Sequence, residues 1–203
     1  MKLSILICSL DQRYSLLIGF LKSLQKQVLD NKEVEVLVFI NNGRRTIGTI
    51  RNKLVSHAKG EYVCFVDDDD IIPEYYIKEI LKNTKNNPDC VGFFGTISID
   101  GKNKRKFIHS IKYKNWFELN GIFYRCPNHL NPIKSRIVRS TPFPEINYAE
   151  DRNFSMKLRG KLKTENYINK NMYNYRYLSN KSRINKIRFK NKNNGIYSMQ
   201  DLL

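Results

Sequence analysis

A chain of 203 residues, 41% of them apolar and 12% aromatic, is long enough to build one domain around a real core. No stretch approaches the ~18 consecutive apolar residues of a membrane span, and the opening run Leu3–Cys8 is too short for the core of a signal peptide. The net charge is +17, but residues 1–100 hold 13 basic and 13 acidic side chains while residues 101–203 hold 23 and 6. The whole excess lies in the second half, which points to an anionic partner there.

Taken in chain order, residues 3–8 read as a buried strand. Residues 12–28 place Leu16, Leu17, Phe20, Leu21, Leu24 and Val28 at helical spacing. Glu33–Ile40 is a second strand, ending at the turn signal Asn41-Asn42-Gly43. Thr46–Ala58 reads as a helix and Glu61–Val66 as a third strand. Four aspartates follow at once, and Pro73 then opens a helix through Thr84. Strand and helix alternate three times, which predicts an α/β fold with a parallel sheet.

The pattern changes after Pro88. Cys90–Ile99 and Lys104–Ile111 read as strands around Asp100-Gly101. Lys114–Leu119 and Ile122–Arg125 flank Asn120-Gly121, a strong hairpin signal. Pro132–Arg139 reads as a short helix, Glu150–Leu162 as a longer one, and residues 164–178 as strand-like. Residues 180–195 hold six Lys or Arg and no acid, and are expected to form a mobile basic arm or a frayed helix. The expected organisation is one catalytic domain over residues 1–179, with a donor half (1–100) and an acceptor half (101–179), and a basic tail over 180–203. Cys8, Cys64, Cys90 and Cys126 form no CxxC pair, so they are expected to be reduced in a cytoplasmic setting.

The chemistry concentrates in two places. Asp67-Asp68-Asp69-Asp70 leaves the end of a buried strand, where open α/β sheets bind their ligands. Adjacent carboxylates repel one another unless a cation neutralises them, and Mg²⁺ or Mn²⁺ takes carboxylate oxygen while leaving positions for phosphate. A solvated acidic turn is the competing reading. Ala149-Glu150-Asp151-Arg152 opens a helix, whose dipole favours a carboxylate anion there. Taken alone it reads as ordinary capping by Asp151. Pro127–Ile133 reads first as a structural turn; as a rigid acceptor loop it would offer His129 as a hydrogen-bonding group.

These motifs, in their order, resemble the inverting GT-A glycosyltransferases of family 2. The resemblance rests on Gly48-Thr49-Ile50-Arg51-Asn52, on the strand Glu61–Val66 with its aspartates and Pro73, and on Glu150-Asp151. Tyr175-Arg176 with Ser179 and Ser182 looks like the family's late Tyr-Arg-x-x-x-Ser pattern. It covers residues 1–85 well and 145–182 in pieces. It implies a GT-A fold with a mostly parallel central sheet and a hairpin-containing acceptor half. It implies a nucleoside-diphosphate sugar as donor, with Asp69 and Asp67 on Mn²⁺ or Mg²⁺ and Asp67 also facing the ribose. Asp68 and Arg51 would lie near the nucleotide, Asp151 would be the base, and Asp70 and Glu150 would support them. One departure concerns the second-strand turn, where the family usually offers aspartate to the base. Asn41 and Asn42 stand there instead, so UDP as donor is an expectation.

The acceptor half carries Lys102, Lys104, Arg105, Lys106, Lys112 and Lys114 beside Tyr113, Trp116, Phe117, Phe123 and Tyr124. Basic residues among aromatics suit a phosphate backbone with exposed bases. A solvated hairpin with its aromatic face inward is the plainer reading. The expected acceptor is therefore anionic, with nucleic acid preferred to an anionic membrane glycolipid; in the second case the protein would sit at a membrane periphery. Two other classes stay open. A nucleotidyltransferase would release pyrophosphate. A non-catalytic nucleic-acid-binding module would explain the charge but not the neutral first half with its carboxylates.

Overall fold

The structure is a computed structural model that describes residues 1–177 and 195–203. Its centre is β1 (Leu3–Leu10), flanked in parallel by β2 (Val34–Asn41) and β3 (Tyr62–Phe65). Residues of β1 alternate between two cores. Leu3, Ile5 and Ile7 pack with α1 (Tyr14–Leu29) and α3 (Tyr76–Thr84), whereas Leu6 faces α2 (Ile47–His57). This period-2 alternation puts a helical layer on each face of the sheet. The helical spacing in α1 brings Leu17, Phe20, Leu21 and Leu24 to the sheet, all buried.

Beyond β3 the sheet becomes mixed. The short β8 (Ile133–Lys134) bridges β3 to β4 (Cys90–Ile99) and runs antiparallel to both. β4 pairs antiparallel with β5 (Lys102–His109) and parallel with the long β9 (Glu165–Tyr177). β6 (Phe117–Leu119) and β7 (Ile122–Arg125) form the expected hairpin, with Asn120 and Gly121 both at positive φ. β7 adds in parallel to β5. α4 (Ser135–Arg139) and α5 (Glu150–Leu158) join the second core through Ile137, Val138, Phe154 and Leu158.

Several boundaries move for identifiable reasons. The helix read from Pro73 begins at Tyr76, whose N–H closes a turn onto the Pro73 carbonyl at 3.0 Å. The helix read from Pro132 begins at Ser135, because Ile133 and Lys134 are taken by the sheet. The strand read over 114–119 shortens to 117–119. The helix read to Leu162 ends at Leu158, just before Gly160. The tail read as 180–203 divides. Residues 180–194 lie outside the described residues, as do Ser179 and Ser182. The final stretch does not behave as a tail. β10 (Gly195–Ser198) pairs antiparallel with β2, and α6 (Met199–Leu202) buries Met199 in the first core. Ser198 and Asp201 form a capping box that starts this last turn.

Candidate active site

The carboxyl ends of β1, β2 and β3 lie side by side, and the aspartate run emerges there. Successive residues of an emerging turn point in different directions, and each aspartate has its own partner. Asp68 accepts a hydrogen bond from Ser9 Oγ at 2.5 Å and is ion-paired with Arg13, which also lies 2.9 Å from Asp69. Asp70 accepts from Tyr173 Oη at 2.7 Å and from the Arg176 backbone N–H at 2.8 Å. The Arg176 Nε–H donates to the Asp69 carbonyl at 2.7 Å. Asp70 and Arg176 thus tie the loop to β9. Burial pushes the Asp68 carboxyl up to about 6, against the pull of Arg13 and Ser9. Burial, reinforced by the charge on Asp67, also raises Asp70.

Asp67 differs from its neighbours. Its side chain is 28% exposed, against 1% for Asp68 and 10% for Asp69. Its Oδ1 lies 3.6 Å from Arg51, and its Oδ2 lies 3.9 Å from His129 Nε2, a charge contact too long for a hydrogen bond. Burial opposes the anion, but His129 and Arg51 outweigh it and hold this carboxyl well below the usual range.

Arg51 is the hub. It projects from α2, wholly buried, with Phe65 at 4.7 Å from its guanidinium and Phe143 at 5.7 Å. Its Nε lies 3.3 Å from Glu150 at the start of α5. One cation therefore joins the end of the third strand to the Glu150-Asp151 helix start. The residue before that helix, Ala149, sits at φ +60°. This left-handed conformation costs an alanine about 1 kcal/mol or more.

α5 is fixed at a second point. Ser155 Oγ donates to the Pro127 carbonyl at 2.8 Å and accepts from Trp116 Nε1 at 3.1 Å. The loop carrying His129 is held by buried Asn131, which accepts from the Asn128 N–H and donates to the Val91 carbonyl, both at 3.0 Å. The His129 carbonyl accepts from the Phe65 N–H at 2.8 Å, so its ring stands beside the strand end. Neither ring nitrogen has a hydrogen-bond partner, although both are buried.

These elements enclose a cavity of 310 Å³ that Asp67, His129, Trp116 and Asp151 line together, with Arg125, Tyr175 and Tyr177. Asp67 and Asp151, distant in the chain, thus face one space. A second hollow of 230 Å³ opens at the ends of β1 and β2, lined by Cys8, Ser9, Arg13, Asn41, Arg45 and Asn147 among others. The Asn41 amide is turned onto its own turn, with Nδ2 donating to the Arg45 carbonyl at 2.9 Å. Asn42 is exposed and does not line this hollow.

The structure therefore gathers Asp67, His129, Trp116 and Asp151 in one cavity, while Arg51 pairs with Asp67 and with Glu150. Asp68, Asp69 and Asp70 sit behind it with protein partners, and Asn41 belongs to the second hollow. Arg13, Arg125 and Tyr173 were not singled out from the sequence. Arg13 follows the first strand directly, so its place at a carboxyl end was the available signal. Nothing local marks Arg125 or Tyr173.

The family model described as Glycosyl transferase family 2 matches residues 20–146, more than half of the chain. The chain belongs to glycosyltransferase family 2. It is similar to the putative glycosyltransferase EpsH of Bacillus subtilis (strain 168), 22% identical over 193 residues, 77% of this chain and 55% of that protein. It is also similar to the uncharacterized glycosyltransferase MJ1057 of Methanocaldococcus jannaschii, 30% identical over 117 residues, 56% of this chain and 39% of that protein. The chain thus spans about half the length of the curated relatives it matches. Among solved structures it is similar to S. aureus TarS 1–349 in complex with UDP, with TM-score 0.68 and 20% identity over 87% of this chain and 60% of that one. The TarS 1–349 complex with UDP-GlcNAc matches with TM-score 0.64 and 18% identity, over 90% of this chain and 60% of that one. The fold is accordingly GT-A. No helix among the described residues is long and apolar enough to cross a membrane.

Proposed function

We propose that this glycosyltransferase moves a sugar from a nucleoside-diphosphate sugar to an acceptor hydroxyl with inversion at the anomeric carbon. The observation that carries the reading is the single cavity shared by Asp67 and Asp151. The nucleotide belongs on the β1–β2 side, where the second hollow adjoins Arg13 and Asn41. The UDP and UDP-GlcNAc held by TarS support a uridine donor.

Among the described residues no three His, Cys, Asp or Glu side chains form a metal-holding group. A Mg²⁺ or Mn²⁺ ion that shares a diphosphate needs only one or two protein carboxylates. Asp67 fits, being an anion open to the cavity. Asp69 would be the second carboxylate, in place of its pairing with Arg13. When bound, the cation would neutralise charge developing on the departing diphosphate. Asp151 takes the acceptor proton as the acceptor oxygen bonds to the anomeric carbon. The bond from that carbon to the diphosphate breaks on the opposite face, and the nucleoside diphosphate leaves with the electron pair. Arg51 holds Asp67 and, through Glu150, the start of the helix carrying Asp151.

The basic second half supports an anionic acceptor, with nucleic acid preferred to an anionic membrane glycolipid. Salt-sensitive DNA binding without liposome binding would favour the first, and the reverse the second.

The test incubates the protein with Mn²⁺ and a panel of nucleotide sugars, and measures nucleoside diphosphate released with and without acceptors. Asp151→Asn is expected to keep donor binding and lose ~10²–10⁴-fold in turnover. Asp69→Ala is expected to lose Mn²⁺-dependent donor binding. Full activity in Asp151→Asn removes the assignment of the base, and release of pyrophosphate instead would identify a nucleotidyltransferase.

A further inference from the structure

Three arginines near this site have carboxylate partners, and the arginine in the cavity itself does not. Arg13 is paired with Asp68 and Asp69, Arg51 with Asp67 and Glu150, and Arg105 with Glu118. Arg125, the last residue of β7, lines the cavity that holds Asp151 and has no ion pair among the described residues. Its guanidinium lies 4.5 Å from the Trp116 ring and 5.5 Å from that of Phe123. Trp116 is itself fixed, because its Nε1–H is bonded to Ser155 on the helix that begins with Glu150-Asp151.

A half-buried cation stacked on aromatics, with no carboxylate in ion-pair contact, is costly unless something else supplies the anion. Burial already pulls this guanidinium below its ordinary pKa, with Asp151 and Tyr175 opposing the shift. The planar fork of an arginine suits phosphate and carboxylate oxygens, and the ring beneath it holds that fork in one plane.

We propose that Arg125 is the acceptor-binding residue for an anionic group, a phosphate or a carboxylate, carried by the acceptor near its reacting hydroxyl. The inference rests on the assignment of this cavity to the acceptor and the base. It narrows the acceptor from a molecule that is anionic somewhere to one that brings its charge into the cavity itself. An anion held on Arg125 turns the attached hydroxyl toward Asp151. A neutral acceptor would leave the guanidinium unpaired.

Trp116 is the only tryptophan in the chain, so its fluorescence reports on this spot alone. The experiment titrates the protein, saturated with UDP and Mn²⁺, with glucose 6-phosphate, glucuronate and neutral glucose, at constant ionic strength. Saturable change is expected with at least one anionic sugar and none with glucose. The two anionic arms separate phosphate from carboxylate. Arg125→Gln is expected to weaken that binding roughly ten- to a hundredfold, the worth of a charge-assisted hydrogen bond. Arg125→Lys, which keeps the charge but loses the fork, is expected to fall between, and it serves if the glutamine variant does not fold. Equal response to glucose, no response to any probe, or unchanged affinity in both variants would each overturn the proposal. UDP affinity is measured separately by calorimetry. Failure to bind UDP would sink the nucleotide-sugar reading while leaving the anion titration to be judged by itself.

Discussion

Replacing Arg51 by methionine is expected to be among the most damaging single changes in the protein. The guanidinium is 4% exposed and is shared by Glu150, whose side chain is 10% exposed, and Asp67, at 28%. Removing one partner of a buried ion pair costs about 3–5 kcal/mol, because the other charge is left without compensation. Partial exposure of Asp67 lowers its share, and methionine keeps part of the contact with Phe65. The cation–π attraction, worth about 1 kcal/mol, is lost. The net expectation is about 3–4 kcal/mol, or roughly 10 °C in melting temperature for a chain of this size. Urea denaturation at several pH values tests the cause as well as the magnitude. In the wild type the Asp67 pKa is depressed, so its stabilisation is present above about pH 4 and is lost as the pH falls through the lower folded value. In the variant, burial of Asp67 without Arg51 raises its pKa, so protonation relieves the strain. The gap between the proteins must therefore narrow as the pH falls from about 7 to about 4.5. Adding Glu150→Gln should recover part of the loss. A deficit under about 1 kcal/mol, or one independent of pH, would refute the view of Arg51 as a charge hub.

Two other predictions concern packing and acid stability. A Cβ on Gly48 would meet the Pro144 carbonyl oxygen at 1.8 Å, so Gly48→Ala must push α2 away from the segment that carries Asn147 at the second hollow. It is expected to lower the melting temperature and weaken UDP binding together, and unchanged UDP affinity would separate that hollow from the nucleotide. His109 is buried against Phe93 and Phe107, and burial, aided by the charge on Arg125, lowers its pKa to about 3. Its unfolded form takes up a proton near pH 6.5 while the folded form does not, so stability falls with pH below that point, by up to ~1.4 kcal/mol per unit. His109→Phe should remove this part of the slope, and an unchanged acid profile would show that His109 charges within the fold.

Much of the architecture is legible because the first half repeats one local pattern. Val34–Asn41 and Tyr62–Phe65 are short apolar runs next to helices of clear period, and Asn120-Gly121 permits the positive φ its hairpin needs. The second half is less legible because long-range pairing decides it. Ile133-Lys134 is a strand only because β3 and β4 present edges to it, and no local propensity marks two residues. Gly195–Ser198 follows a run of lysines and arginines, and reads as an extension of that run until β2 is seen to take it as an edge strand. The same holds for the site. Glu150-Asp151 was visible as a motif, but its meeting with Asp67 depends on Arg51 and on the Trp116–Ser155–Pro127 contacts, which join distant segments.

The aspartate run shows most clearly what sequence leaves undetermined. Read as a string, Asp67-Asp68-Asp69-Asp70 is one cluster of repelling charges that calls for one cation. In the fold it is four carboxylates with different neighbours. Asp70 binds Tyr173 and the Arg176 backbone, and Asp68 binds Ser9 and Arg13. These contacts set the path of the loop, and that path leaves Asp67 open toward Asp151. The internal guanidiniums relieve the repulsion that the sequence assigns to a metal, so the repulsion alone does not establish one. What favours a cation is instead the ordering of exposure. Asp67 is accessible and anionic, and Asp69 is paired with Arg13 beside it. Donor binding that requires Asp69 would then have to release Arg13, and Arg13→Ala should raise Mn²⁺ affinity in the absence of donor. If it lowers that affinity, Arg13 organises the ion's site instead of competing for it.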